Sequence, residues 1–153
     1  NTLGANTTGD QQTAVGTYAL QANTTGVQNS AFGSTALYSN TTADNNTAIG
    51  FQALYTNTTG AQNTAVGAFA LDAQSTASYN TAFGYESLSA NTTGNYNVGC
   101  GRYSLRNNTT GSNNTALGQG ALSANTTSNH NTAVGYLALS SVKCWLENHF
   151  YFL

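Results

Sequence analysis

The triplet Asn-Thr-Thr returns every 17 residues along this chain of 153 residues. It begins at residues 6, 23, 40, 57, 91, 108 and 125, and the triplet Gln74-Ser75-Thr76 fills the one gap in register. Eight repeats, here called coils 1 to 8, therefore begin at residues 6, 23, 40, 57, 74, 91, 108 and 125. A strict period of this length is typical of a repeat architecture, in which each unit is stable only when its neighbours cover it.

Some positions of the coil are fixed and others vary. Numbered from its first residue, a coil reads N-T-T-G-x-x-N-T-A-(apolar)-G-x-x-A-L-x-x. Positions 10 and 15 carry apolar residues, so we predict two buried columns. Position 10 holds Val15, Phe32, Ile49, Val66, Phe83, Cys100, Leu117 and Val134, and position 15 holds Leu20, Leu37, Leu54, Leu71, Leu88, Leu105, Leu122 and Leu139. Positions 12 and 13 differ from coil to coil, which predicts outward side chains.

Two columns of Asn predict structural ladders inside the coils. A side-chain amide both donates and accepts, so identical Asn residues stacked coil upon coil can bond along the stack. The ladder at position 1 consists of Asn6, Asn23, Asn40, Asn57, Asn91, Asn108 and Asn125. The ladder at position 7 consists of Asn29, Asn46, Asn63, Asn80, Asn97, Asn114 and Asn131.

Short strands fit this pattern better than helices. Asn, Thr and Gly are weak helix formers, and the apolar positions do not recur at intervals of three and four. Segments such as Thr13-Ala14-Val15 suit strands, while Thr-Thr-Gly and the Gly of position 11 suit turns. We therefore predict an all-β fold over residues 1–141, a parallel β-solenoid (β-roll) of eight 17-residue coils with a flattened, two-sided section. Residues 142–153 break the repeat and are rich in large apolar groups. They are interpreted as a cap on the last coil, a link to a following domain, or an artefact of truncation.

Composition excludes several partners. Asn and Thr number 21 and 25, whereas Asp, Glu, Lys and Arg together number eight. Three basic residues, Arg102, Arg106 and Lys143, are too few to bind a phosphate backbone or an anionic membrane surface. No apolar run is long enough to cross a bilayer, and the start of the chain lacks a signal-peptide pattern, which suggests a processed product or a fragment.

Small residues in register predict a homo-oligomer. Positions 9 and 14 are Ala, Gly or Ser in every coil. Such columns permit close approach of a second chain, so we predict that one of them faces the axis of the assembly, either a closed oligomer or a filament.

The repeat resembles known fibre proteins. Residues 46–54 (NTAIGFQAL) and 63–71 (NTAVGAFAL) are similar to repeats of phage tail fibres and to those in the heads of trimeric autotransporter adhesins. The resemblance covers residues 6–141. It implies a left-handed β-roll, a homotrimer, a location outside the cell or on the virion, and a structural role in a fibre that contacts a host glycan or protein. The period of 17 is longer than the usual adhesin-head repeat.

The sequence has few residues that could act in catalysis or bind a metal, so we predict neither an enzyme nor a cofactor nor a metal site. His130 and His149 lack a Ser and Asp in neighbouring columns. Asp10 and Asp44 share a column two coils apart, about 9–10 Å, near the wide limit for an inverting glycosidase pair, but a solvated turn explains both acids more simply. A sugar-cleaving tailspike therefore ranks lowest.

Outward aromatic rings are the candidate contact residues, because their faces can stack on sugars or proteins. They are Tyr18, Phe51, Phe69, Tyr85, Tyr103 and Tyr136, and packing between chains is an equal interpretation of them. The alternative function is ice binding by stacked threonines. That function usually needs Thr-x-Thr on a strand, which occurs only at Thr56-Asn57-Thr58.

Overall fold

The computed structural model describes residues 1–141 and 150–152, and these contain one parallel sheet of nine strands. Eight strands occupy positions 8 to 10 of the coils: β1 (Thr13–Val15), β2 (Ser30–Phe32), β3 (Thr47–Ile49), β4 (Thr64–Val66), β5 (Thr81–Phe83), β6 (Val98–Cys100), β7 (Thr115–Leu117) and β8 (Thr132–Val134). Each strand pairs with the next coil's strand at an offset of 17 residues, so that Ala14 lies beside Ala31 and Ala31 beside Ala48. The predicted β-solenoid is confirmed.

The ninth strand, β9 (Phe150–Phe152), pairs in parallel with β8. It belongs to the segment 142–153 that we interpreted as a cap, a link or an artefact. The rest of that segment lies outside the described residues. The strand extends the sheet beyond the last repeat, at the edge that coil 8 leaves open.

The core is narrow and is made of Ala and Leu. Successive strand residues point to opposite faces, so each three-residue strand sends only its middle residue inward. The middle residues Ala31, Ala48 and Ala65 are fully buried, and so are the position 15 leucines from Leu20 to Leu105. These columns and position 14 form one continuous hydrophobic cluster. The predicted burial of position 15 is confirmed.

The predicted burial of position 10 is wrong. Val15 and Phe83 are 56% and 50% exposed, and Cys100 is exposed as well. The interior holds only small groups at position 9, which is Ala in seven coils. Where position 14 carries the larger Ser87 and Ser104, position 9 is Gly99, because a methyl added there would lie 2.6 Å from Ser87 Oγ and 3.0 Å from Ser104 Oγ. The small residue of position 9 therefore points inward, and the large residue of position 10 points outward. The outward position 10 column is called the apolar stripe below.

The predicted role of the small columns in an assembly is also wrong. Positions 9 and 14 lie inside the chain's own core, where Ala36, Ala53, Ala82 and Ala116 have no exposed surface. A second chain cannot reach them in the folded coil. An interface along the sheet has to use the outward positions 8 and 10, and position 10 is the apolar stripe.

Both asparagine columns are hydrogen-bonded from coil to coil, and every member except the exposed Asn6 is buried. At position 1, Asn40 Nδ2 donates to Asn23 Oδ1 at 2.8 Å and also to the Ala43 carbonyl at 3.1 Å. At position 7, the backbone N–H of Asn46 donates to Asn29 Oδ1 at 2.9 Å. Buried amides must find such partners because water cannot reach them. Each coil therefore sits in a fixed register on its neighbour.

Gln74 interrupts the ladder at position 1. Its Oε1 accepts from Asn91 Nδ2 at 3.3 Å and from Asn80 Nδ2 at 2.9 Å. Its Nε2 has no hydrogen-bond partner among the described residues, and neither has Asn57 Oδ1 in the coil before. The longer side chain thus leaves one donor and one acceptor unpaired in the core.

Gln74→Asn is expected to stabilise the protein. The shorter amide restores the ladder geometry and pairs two buried groups, each of which costs roughly 1–3 kcal/mol when unpaired. The free energy of unfolding from urea denaturation should rise by about 1–2 kcal/mol. The matched control Asn108→Gln creates the same defect two coils away and should lower stability. Equal stability of both variants and the parent protein would contradict this account.

Candidate functional site: an aromatic and charged surface on coils 3 to 6

Four aromatic rings form a continuous file across coils 3 to 6. The centroid distances are 5.3 Å from Phe51 to Phe69, 6.0 Å from Phe69 to Tyr85, and 5.7 Å from Tyr85 to Tyr103. All three pairs meet edge to face, which is a favoured geometry. These four residues alternate between positions 12 and 13, and they are called the aromatic file below.

Charge is concentrated beside the aromatic file. Residues 1–141 and 150–152 contain six charged side chains, Asp10, Asp44, Asp72, Glu86, Arg102 and Arg106. The last four of these lie on coils 4 to 6. In a chain so poor in charge, this is the one surface of the described coils where opposite charges and aromatic rings meet.

Both arginines are held by the aromatic file. Arg106 Nη2 lies 2.7 Å from Glu86 Oε2, and its guanidinium is 4.7 Å from the centroid of the Tyr103 ring. Arg102 lies 4.4 Å from the Tyr103 centroid and 5.8 Å from that of Tyr85. Cation–π contacts at these distances favour an ordered guanidinium. The positive charge is therefore fixed on the coil 6 side of the surface.

A cleft of about 250 Å³ opens between coils 4 and 5. Its walls are Phe69, Asp72, Tyr85, Glu86 and Ser89. Position 13 supplies Phe69 and Glu86, and position 16 supplies Asp72 and Ser89, so the same two columns line the cleft in both coils. Two rings and two carboxyl groups thus converge on a single space.

Asp72 is the unusual group of the cleft. The pKa of its carboxyl is raised from 3.8 to about 6. Burial is the main cause, and repulsion from the nearby Glu86 carboxylate contributes to the rise. Its Oδ1 is buried and has no hydrogen-bond partner among the described residues. Hydrogen bonding to Glu86 also raises the pKa of the Tyr85 phenol. The backbone N–H groups of Asp72 and Ala73 lower the Asp72 pKa in part, so the carboxyl has some backbone support although its Oδ1 is unpaired.

The six predicted contact residues separate into three places. Phe51, Phe69, Tyr85 and Tyr103 form the aromatic file. Tyr18 instead contacts Tyr38, which stacks on Tyr55 at 5.3 Å. Tyr136 stands apart on coil 8 with 67% of its surface exposed.

Sequence reasoning missed the charged members of the site. Asp72 and Arg106 lie at position 16, for which the repeat pattern predicted no surface role, and Glu86 and Arg102 lie at positions 13 and 12. A signal was present, because Glu86 and Arg106 are oppositely charged residues in neighbouring coils. The stacked pair Tyr79 and Tyr96, at position 6 with ring centroids 4.8 Å apart, was missed as well.

The other acids and histidines of the described coils do not converge. Asp44 Oδ1 accepts from the Val27 backbone N–H at 2.7 Å, and Asp10 Oδ1 accepts from that of Gln11 at 2.7 Å. Both acids thus cap backbone groups in turns. His130 is exposed at position 6 of coil 8, and His149 lies outside the described residues. Within residues 1–141 and 150–152, no three His, Cys, Asp or Glu side chains are grouped to hold a metal ion.

The threonines of positions 2 and 3 differ in the hydrogen bonding of their hydroxyls. At position 2, Thr24, Thr41 and Thr58 donate to backbone carbonyls of the next coil at 3.0 to 3.1 Å. The hydroxyl of Thr56 donates to two backbone carbonyls, so the one Thr-x-Thr segment is committed to the fold. The threonines at position 3 are exposed in all eight coils: Thr8, Thr25, Thr42, Thr59, Thr76, Thr93, Thr110 and Thr127.

Comparison of the chain with protein-family models, curated proteins and solved structures finds no significant match. In the described part of the chain, no helix has the length and apolar character needed to span a membrane.

Asp72→Asn is expected to change the pH dependence of stability. Because folding raises the pKa of this carboxyl from 3.8 to about 6, its contribution is fully present below pH 4 and is lost as the pH rises through 6. At pH 7.5 the Asn variant should be more stable by about 1 kcal/mol, after allowance for solvent screening of a half-buried group. Thermal unfolding from pH 4 to 8 measures this. Asp72→Asn should flatten the dependence of stability on pH. Asp10→Asn, which makes the same charge change outside the cleft, should leave that dependence as it is in the parent protein.

Proposed function

We propose that this chain is a structural and adhesive module of a fibre, located on a cell or virion surface, that binds glycans or proteins without catalysing a reaction. The observation that carries the proposal is the aromatic file with its charged flank. The rigid stack of coils presents these side chains at fixed spacing, which reduces the entropy lost on binding. The resemblance of the repeat to tail-fibre and adhesin-head repeats supports the same function.

Glycans are the partner class that suits the file best. Aromatic rings provide a flat apolar contact for a sugar ring, while carboxylate and guanidinium groups bond to its hydroxyls. Rings on successive coils repeat this contact along about 15 Å, three spacings of ~4.8 Å, so several sugar units of a polymer can bind at once.

Removal of two rings of the file is expected to weaken adhesion. Phe69→Ala with Tyr85→Ala should lower binding to a bacterial surface or a glycan array at least tenfold, because the contact area of both rings is lost. Retention of the labelled protein measures the effect. Tyr136→Ala removes the most exposed aromatic of the described coils, and it should bind like the parent protein. Undiminished binding by the double variant would exclude the file as the contact surface.

We further propose a homo-oligomer, a trimer as the resemblance implies, that buries the apolar stripe. The stripe follows the sheet for about 34 Å, and each three-residue strand is about 10 Å long, so the sheet presents an outer face of roughly 340 Å². An exposed face of this size with an apolar column along it is comparable to the largest patches of lone soluble proteins, and such patches often mark an interface.

Charges placed in the stripe should dissociate the assembly. Ile49→Lys with Phe83→Lys puts two like charges into a contact that would exclude water, so the mass from light scattering should fall to that of one chain. The control Thr42→Lys with Thr76→Lys adds two lysines to the same two coils, at the exposed position 3 outside the stripe, and should leave the mass unchanged. A parent protein that is monomeric at high concentration would refute the oligomer.

Ice binding is a second candidate function. The exposed threonines of position 3 favour it, since they form an in-register column of hydroxyl and methyl groups. The threonines of position 2 do not add a second column of free hydroxyls, because in most coils their hydroxyls donate to backbone carbonyls. Thermal hysteresis distinguishes the two functions: the adhesive proposal expects none, and clear hysteresis lost in Thr59→Lys would favour ice binding.

A further inference from the structure

The carboxyl of Asp72 lines the cleft of about 250 Å³ between coils 4 and 5, and its Oδ1 is enclosed without a hydrogen-bond donor among the described residues. A carboxylate with so few donors is costly, and a bound molecule that brings an N–H group to this carboxyl would lower that cost. The geometry therefore favours ligands that donate a hydrogen bond.

The nearby cations do not supply this donor. Arg106 is bound to Glu86 at 2.7 Å and packs on the Tyr103 ring. Arg102 packs on Tyr103 and donates to its hydroxyl at 2.8 Å. Neither arginine lines the cleft, and Glu86 is the charged group that acts on Asp72. With Glu86 balanced by Arg106, the cleft keeps one uncompensated carboxylate, which favours a cationic ligand over a neutral or an anionic one.

The remaining walls of the cleft fit a sugar ring. Phe69 and Tyr85 lie edge to face with centroids 6.0 Å apart, and Ser89 adds a hydroxyl. Aromatic rings attract both the apolar face of a sugar and an adjacent ammonium group. A quaternary ammonium would use the rings but has no N–H to donate to the Asp72 carboxylate. A primary ammonium uses both features.

We propose that this cleft binds an aminated glycan, with the primary ammonium group donating to Asp72 and the sugar ring packed on Phe69 and Tyr85. This proposal rests on the adhesive function proposed above and names the class of glycan at one of its contacts. Binding forms no covalent bond. The ammonium keeps its protons and replaces water at the carboxylate.

The test uses a pair of glucosides that differ in one group. The 2-aminoethyl β-glucoside carries a primary ammonium that stays protonated from pH 5 to 8, whereas the 2-hydroxyethyl β-glucoside is neutral. Ethanolamine supplies the ammonium without the ring. Each is titrated into the full chain at pH 7.5, and amide and aromatic NMR shifts report the affinity and the place of binding.

We expect the aminated glucoside to bind at least tenfold more tightly than its neutral partner and than ethanolamine. Asp72→Asn should abolish the tenfold preference and leave the affinity for the neutral glucoside unchanged. Asp10→Asn, with the same charge change elsewhere, should behave like the parent protein. At pH 5 the preference should fall about tenfold, because a carboxyl with a pKa of about 6 is then mostly protonated.

Equal binding of the two glucosides, absence of binding by both, or a preference that survives Asp72→Asn would each overturn this inference. The adhesive function is judged separately, by the Phe69 and Tyr85 double variant on whole surfaces. Loss of adhesion in that variant together with equal glucoside binding would keep the adhesive function and reject the aminated ligand. Unchanged adhesion in that variant, with a tenfold preference in the parent, would exclude the aromatic file as the adhesive surface and keep the aminated ligand of the cleft.

Discussion

The rest of the structure depends on the in-register hydrogen bonding of each coil to the next. The strand register of 17 residues repeats from β1 to β8, and the buried amides of positions 1 and 7 bond in the same direction. A shift of one residue would leave both ladders unpaired in a core without water, so the register is strongly specified. Because every coil repeats that geometry, a side chain placed at one position becomes part of a straight column.

Column geometry also decides which residues point outward. A strand of three residues sends one side chain into a narrow interior, and only Ala or Gly fits there. The larger residues on either side must face solvent or another chain. Hydrophobicity alone therefore predicted the wrong side for position 10, since it ranks Ile49 as more buried than Ala48. Residue volume, compared with the space available, would have predicted the right one.

The sequence was sufficient to predict the coil length, the parallel stacking, the buried leucines and the two asparagine columns, because each follows from strict periodicity. It could not predict the backbone that places those leucines. Every Leu of position 15 has a φ of 50 to 54°, a left-handed conformation that costs a branched residue roughly 1–2 kcal/mol. Hydrogen bonds between coils, such as that from Leu20 N–H to the Ala36 carbonyl at 3.1 Å, compensate for this cost. Local propensity gives no sign of such a cooperative effect.

The same constraint explains why the charged site was hard to see in the sequence and why it is small. A charged residue repeated in one column would repel itself every ~4.8 Å, so a solenoid of this kind tolerates single charges or opposite charges on neighbouring coils. Glu86 and Arg106 are such an opposite pair, at positions 13 and 16 of neighbouring coils. Asp72 is a single charge with Ser89 beside it in the next coil, and the nearby Glu86 carboxylate has the same sign. Burial and this repulsion raise the pKa of Asp72, so a cation bound beside it would stabilise both the carboxylate and the fold.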